Sequence, residues 1–392
     1  MKPRTKRCLG KSVTMKAGAT NNRKGLVIVA VLWTVVLLMA IVAVLGRRTR
    51  LDMKICMARM DALRCKWACR AGVEKAVAVL NTDETENDTL LDLWNDNEED
   101  FNDVALERCL LNIRVVDEAS KLNINYATKD QLMGLPYMLE EIADSIIDWR
   151  DNDDNPSGFG VEGGYYEGLE FGYRGRNGPF RTIRELLMVK DVTDELFYGE
   201  DTNFNGQLDY NERDGDATPP NDDGDTELDL GWIAYLTCYT PGENIEQGNQ
   251  DNNNQDSNND QSSNNQSNQN QNNDQQQYAR VNVNTASEQV LAALFGGGDE
   301  ATRIALDIIN YRESAENGIE QISDLTDKGV MTSDDFSKIE NYITVSSDVF
   351  TVYCVAAVNR GGKPGARITT ETVLKRGSRP HEVLFSYQGV SN

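Results

Sequence analysis

The sequence predicts an α+β protein: a long N-terminal helix packed on a small antiparallel sheet, with an all-α portion inserted into it. Three observations carry this. One uncharged run near the N-terminus is long enough to be a membrane-spanning helix. A motif pair spaced far apart in the chain repeats a strand-then-two-helices pattern. The C-terminal fifty residues alternate in the way of β-strands.

The N-terminus comes first. Residues 1–25 hold Lys2, Arg4, Lys6, Arg7, Lys11, Lys16, Arg23 and Lys24 and no acid, and Leu26 to Leu45 then carry no charge. Twenty helical residues rise about 30 Å, the thickness of a bilayer's hydrocarbon core. The basic block sets the N-terminus on the cytoplasmic side. A plain signal anchor satisfies the same facts. Beyond Gly46 the helical pattern runs on to about Leu80. Met53, Met57, Met60, Leu63 and Trp67 recur every three or four residues and form one apolar stripe, expected to face a globular head.

An internal repeat follows. Leu122-Asn123-Ile124-Asn125-Tyr126-Ala127 leads to Ile146-Ile147-Asp148-Trp149-Arg150, and Val281-Asn282-Val283-Asn284-Thr285-Ala286 leads to Ile308-Ile309-Asn310-Tyr311-Arg312. The turns are Leu135-Pro136-Tyr137 and Gly296-Gly297-Gly298-Asp299. Later helices at Phe180–Leu186 and Ile319–Leu325 accompany each copy. The pattern resembles helix-hairpin-helix (SAM-like) units. Such units often bind DNA through hairpin amides, so a membrane-anchored DNA-uptake receptor is the alternative reading. Glu140, Glu141, Asp144, Asp299 and Glu300 beside the two turns oppose it, because carboxylates repel phosphate.

Two acidic loops have calcium-ligand character. Asp201-Thr202-Asn203-Phe204-Asn205-Gly206-Gln207-Leu208-Asp209-Tyr210-Asn211-Glu212 fits the D-x-N-x-N-G-x5-E pattern at every defined position. Asp201, Asn203 and Asn205 would give side-chain oxygens, Gln207 a carbonyl, Asp209 a water-mediated contact and Glu212 a bidentate carboxylate. Asp151, Asp153, Asn155 and Glu162 form a second candidate. Pro156 stands where the glycine of a standard loop belongs, so its geometry must differ. The competing reading of either loop is a solvated acidic surface.

Residues 249–277 are almost all Asn, Gln, Asp and Ser, and have too little apolar surface to fold. Strands are expected at 110–116, 349–358, 367–374 and 382–387. The net charge of −24 disfavours a general affinity for nucleic acid or anionic lipid. Seven cysteines show no paired CxxC spacing, so no zinc module is expected, and sequence leaves disulfide connectivity open. A single histidine, His381, removes the usual His-based triads and His-rich metal sites, and no nucleophile-elbow, HExxH or dinucleotide motif is present, so no enzyme is expected.

The runs Leu122-Asn123-Ile124-Asn125, Asp148-Trp149-Arg150-Asp151 and Asn177-Gly178-Pro179-Phe180, the last followed by Glu185-Leu186-Leu187, resemble those of the K-type minor pseudopilins of type II secretion systems. Arg23-Lys24-Gly25 before an apolar helix resembles a prepilin-peptidase site. The resemblance implies cleavage between Gly25 and Leu26, whether translation starts at Met1 or Met15, and methylation of the new N-terminus. It also accounts for Ala30, since the family lacks the glutamate that other pilin-like proteins carry at the fifth mature residue.

The implied organisation is a leader (1–25), a transmembrane segment (26–46) and a periplasmic helix with the first strand of a pilin-like head (47–120). A first SAM-like repeat with its acidic calcium-binding insert (121–240), an Asn/Gln-rich linker (241–278), a second repeat (279–345) and the closing strands (346–392) follow. The implied role is a tip subunit of the periplasmic pseudopilus, nucleating and capping its assembly for protein export. Its partners would be the I- and J-type minor pseudopilins, the major pseudopilin, prepilin peptidase and the assembly platform in the bacterial inner membrane, with no nucleic acid. Structural calcium in the insert is likewise implied.

Overall fold

The computed structural model describes residues 23–83, 86–201, 208, 212, 215, 228–244, 277–358, 365–377 and 382–390. They fall in two units, Met1–Met60 and Asp61–Asn392. The elements in chain order are α1 (Arg23–Leu80), α2 (Glu98–Phe101), β1 (Val104–Leu106), β2 (Cys109–Asp117), β3 (Leu122–Asn123), α3 (Lys129–Met133), α4 (Glu140–Arg150), α5 (Gly163–Glu167), α6 (Asp194–Tyr198), α7 (Trp232–Tyr235) and β4 (Leu236–Thr237). Then come β5 (Glu243–Asn244), β6 (Gln277–Tyr278), β7 (Val281–Asn282), α8 (Glu288–Leu294), α9 (Asp299–Ser314), α10 (Asp324–Asp327), α11 (Ser333–Ile339), β8 (Ile343–Thr344), β9 (Val349–Val358), β10 (Arg367–Lys375) and β11 (Glu382–Val390).

In the first unit the described residues are all helical, and every apolar side chain from Leu26 to Leu45 is exposed. Among the described residues this is the one helix long and apolar enough to cross a membrane.

The second unit has two cores. The first lies between the C-terminal part of α1 and a five-stranded antiparallel sheet of order β1-β2-β9-β10-β11. The face of α1 that packs there is Asp61, Cys65, Ala68, Cys69, Gly72, Ala76, Val77 and Leu80. The stripe expected from the sequence lies elsewhere: Leu63 and Trp67 are exposed in this unit, and Met53, Met57 and Met60 are exposed in the first. The reason is size. A β-carbon on Gly72 would stand 2.6 Å from the Cys354 sulfur, so around Gly72 helix and sheet approach too closely for a Met or Trp side chain to fit between them.

The helical repeats are inserted between β2 and β9, which pair directly in the sheet. They form the second core, centred on Leu132, Ile142, Ile146, Leu186, Leu291 and Ile308. The sequence repeat reappears as repeated hydrogen bonds. Strand β3 pairs in parallel with β4, and β7 with β8. Asn125 brackets the backbone of Phe180, accepting from its N–H at 2.7 Å and donating to its carbonyl at 3.1 Å. Asn284 does the same to Ile319 at 2.8 and 2.9 Å. Arg150 donates to the carbonyls of Ile124 and Ala127, and Arg312 to those of Val283 and Ala286. Each arginine thus ties the end of its second helix back to the loop after the opening strand.

The two hairpins meet at their glycines. A β-carbon on Gly134 would stand 2.7 Å from Ala293 Cα and 2.9 Å from the Gly297 nitrogen. Both turns are therefore packed on one another.

The join between the cores is polar. Asp117, at the end of β2, accepts from Asn282 Nδ2 (3.2 Å), Thr285 Oγ1 (2.6 Å) and Ser347 Oγ (2.6 Å), and from the Ala119 amide (2.7 Å). Glu118 accepts from Thr351 and Thr237 at 2.5 Å each and pairs with Lys121 at 3.0 Å. Buried polar groups are tolerated when hydrogen-bonded, and these two acids fix the insert to the sheet at the point where it leaves it.

Candidate metal centre

Helix α4 presents Asp144 and Asp148, four residues apart, on a buried face. The loop after it folds back over these two acids. Asp144 Oδ2 accepts the Phe159 amide at 2.9 Å, and its Oδ1 lies 2.7 Å from Lys129 Nζ. Asp148 Oδ1 accepts the Ser157 amide at 2.9 Å. The loop passes so near that a β-carbon on Gly160 would stand 2.1 Å from Asp148 Oδ2.

That second oxygen of Asp148 has no hydrogen-bond partner, nor do Asp151 Oδ1 and both oxygens of Glu162, and all four are shielded from solvent. The carboxylates of Asp148, Asp151 and Glu162 offer oxygens within 4.8 Å of one another. The adjacent Arg150 spends its guanidinium on the Ile124 and Ala127 carbonyls. Burial, together with repulsion from Asp148, Asp151, Asp153 and Asp154, pushes Glu162 up to about 7. Burial raises Asp148 and Asp151 too. Three carboxylates held together without a balancing cation are costly, and orphaned buried oxygens of this kind are what a hard divalent ion coordinates.

Asp151 and Glu162 are thus brought together as ligand candidates. Asp153 Oδ1 instead accepts the Asn155 amide at 2.7 Å, and Asn155 is exposed. Asp148 is the residue that sequence reasoning missed. Its signal was an acid in the inward-facing apolar pattern Ile142, Ile146, Trp149.

In the other loop Asp201 and Glu212, the first and twelfth positions, are both buried. Asn203, Asn205, Gln207 and Asp209 lie outside the described residues. The ends of the segment meet, since Gly199 bridges Leu230 and the Glu200 amide donates to Asp229 at 2.8 Å. One further acidic group, Asp83, Asp88 and Asp92, differs in kind: Arg376 enters it at 2.6 Å from Asp88 and 3.3 Å from Asp83, so its charge is compensated.

A long apolar N-terminal helix whose later turns pack on an antiparallel sheet is the plan of the pilin-like proteins. Residues 114–198 match the family model described as type II secretion system (T2SS), protein K. No curated protein matches. A solved structure, titled the crystal structure of the GspK-GspI-GspJ complex from the enterotoxigenic Escherichia coli type 2 secretion system, contains a chain of similar fold. The TM-score is 0.54 at 16% identity, over 88% of this chain and 100% of that one.

Proposed function

We propose that this chain is a minor pseudopilin placed at the tip of a type II secretion pseudopilus, where it nucleates and caps assembly. The observation that carries the reading is the insertion. A two-repeat helical body, read as two helix-hairpin-helix (SAM-like) units, enters between β2 and β9 of a small pilin-like sheet. Such bulk suits the end of a filament of small subunits. The exposed apolar surface of α1 from Leu26 to Leu45 suits a helix anchored in the inner membrane after leader removal at Gly25. Ala30, uncharged at the fifth mature position, suits a subunit with none above it.

The partners that follow are I- and J-type minor pseudopilins, by analogy with the complex named for the structural relative. Calcium at Asp148, Asp151 and Glu162, and at the Asp201–Glu212 loop, has a structural role in this reading. Nothing in it calls for catalysis. The DNA-receptor alternative is disfavoured because the hairpin turns pack on each other and Lys129 is engaged by Glu140 (2.9 Å) and Asp144 (2.7 Å).

The test is co-purification of the full chain with I- and J-type pseudopilins after co-expression with prepilin peptidase, with N-terminal sequencing of the product. A ternary complex whose K-type chain begins at Leu26 supports the reading. An uncut chain that binds neither partner refutes it.

A further inference from the structure

Four of the cysteines converge on one interface. Cys65 and Cys69 lie one turn apart on the packing face of α1, Cys109 opens β2, and Cys354 lies in β9. All four are buried in the core between helix and sheet. The side chains of Cys65 and Cys109 are neighbours, as are those of Cys69 and Cys354, and all four are free thiols in this structure. Cys65 and Cys69 also reach across the sheet's backbone, at 3.2 Å from the Ala366 carbonyl and 3.4 Å from that of Cys354.

These are two pairs, not one four-sulfur site. Cys109 stands opposite Val358 and Cys354 opposite Ile113, four residues further along the same strand pair. That places them roughly 13 Å apart along the strands, whereas the two helix cysteines rise only about 6 Å. Among the described residues, no cysteine belongs to a group of three ligand atoms close enough to share a metal ion.

We propose that the mature protein carries two structural disulfides, Cys65–Cys109 and Cys69–Cys354, which staple α1 to neighbouring strands of the sheet. The inference rests on the reading that this unit lies outside the cytoplasm, where disulfides persist. Each bond forms as two thiols lose two protons and two electrons. A disulfide-bearing thiol oxidant of the cell envelope accepts the electrons through a mixed disulfide and leaves as the dithiol. The reaction belongs to the stage before α1 docks. Once folded, all four thiols are buried between helix and sheet and inaccessible to an oxidant. The second bridge links residues 285 apart in sequence, so it joins the first helix of the unit to a strand formed after the whole insert. Cys238, among Glu118, Glu185 and Tyr239, and Cys56, exposed on α1, stay free thiols.

The experiment uses the full chain in detergent, purified from cell envelopes, with free thiols blocked in denaturant before digestion and mass spectrometry. The expected result is two cross-linked peptide pairs, 65–109 and 69–354, and a chain about 4 Da lighter than its fully reduced form. Reductant should lower the melting temperature by roughly 10 °C, and the Cys65→Ala/Cys109→Ala chain should lose about half of that response. The same protein is also reduced, unfolded and refolded in a glutathione redox buffer. Other pairings, or four free thiols after that refolding, overturn the proposal. Thiols free in cells but correctly paired after refolding support the pairing and refute the extracytoplasmic placement instead.

Discussion

Replacing Glu162 by Gln separates a metal ligand from a merely structural carboxylate, because its effect should change sign with calcium. Without calcium, wild-type Asp148, Asp151 and Glu162 repel one another, and Glu162 has been pushed up to about 7 chiefly by burial. An amide there removes repulsion, so the metal-free variant should melt no lower than metal-free wild type. With calcium the order should reverse. An ion at 100 times its dissociation constant stabilises by about 2.7 kcal/mol, or about 5 °C at roughly 2 °C per kcal/mol for a unit of this size. Ligand charge sets calcium affinity, and loss of one of three carboxylates should weaken it on the order of 100-fold. At the same calcium concentration the variant is then half saturated and gains only about 0.4 kcal/mol, a shift under about 1 °C.

The assay is thermal unfolding of both proteins in a chelator and across a calcium titration, followed by circular dichroism. Calcium that binds only at the Asp201–Glu212 loop would stabilise both proteins equally. An equal shift, or none in the wild type, would refute the assignment of the Asp148–Asp151–Glu162 group.

Three further outcomes follow from the same geometry. Arg150→Ala should leave the Ile124 and Ala127 carbonyls short of a buried donor and cost about 2–4 kcal/mol in denaturant unfolding; Arg312→Ala should cost a similar amount, matching its equivalent bonds in the second repeat. Burial raises the Asp117 carboxyl to about 6, so the folded state holds that proton more tightly than the unfolded chain. Its contribution is full below about pH 4 and lost as pH rises through about 6, and Asp117→Asn should flatten the pH–stability curve over that window by about 3 kcal/mol. The full chain should show no retardation of duplex DNA at low salt; a salt-dependent shift would reinstate the receptor reading.

How far the sequence carried depends on the length scale of each signal. The strands β2, β9, β10 and β11 coincide with the runs read from sequence, because β-branched and aromatic residues concentrate in them, although burial alternates position by position only in β2. The repeat was visible for a different reason: Asn125 and Asn284, and Arg150 and Arg312, make stereotyped backbone contacts that demand those residue types, although their partners lie 23 to 55 residues away along the chain. The helix face was misread because size outranked hydrophobicity there. Met and Trp look like core, but Gly72 and Ala76 are what a close helix–sheet contact admits. Asp148 was missed because its loop partners lie across a turn whose path depends on Ser157 and Gly160, and no fixed spacing encodes that.

The polar join shows why the insert can be large without being loose. A helical body spliced between two paired strands could pivot on its two connections. Asp117 and Glu118 sit at the first connection, and Ser347 sits at the second, donating to Asp117 at 2.6 Å. Asn282 and Thr285 of the second repeat and Thr237 of the first reach the same two acids. Arg376 at the end of β10 closes the set, donating to Asp88 at 2.6 and 2.8 Å, while Asp88 accepts the Ser347 amide at 2.7 Å. Because a buried acid stripped of its donors costs more than the bonds are worth when made, motion at either connection is penalised. The same buried acids that anchor the insert at its first connection therefore also hold the two cores in register.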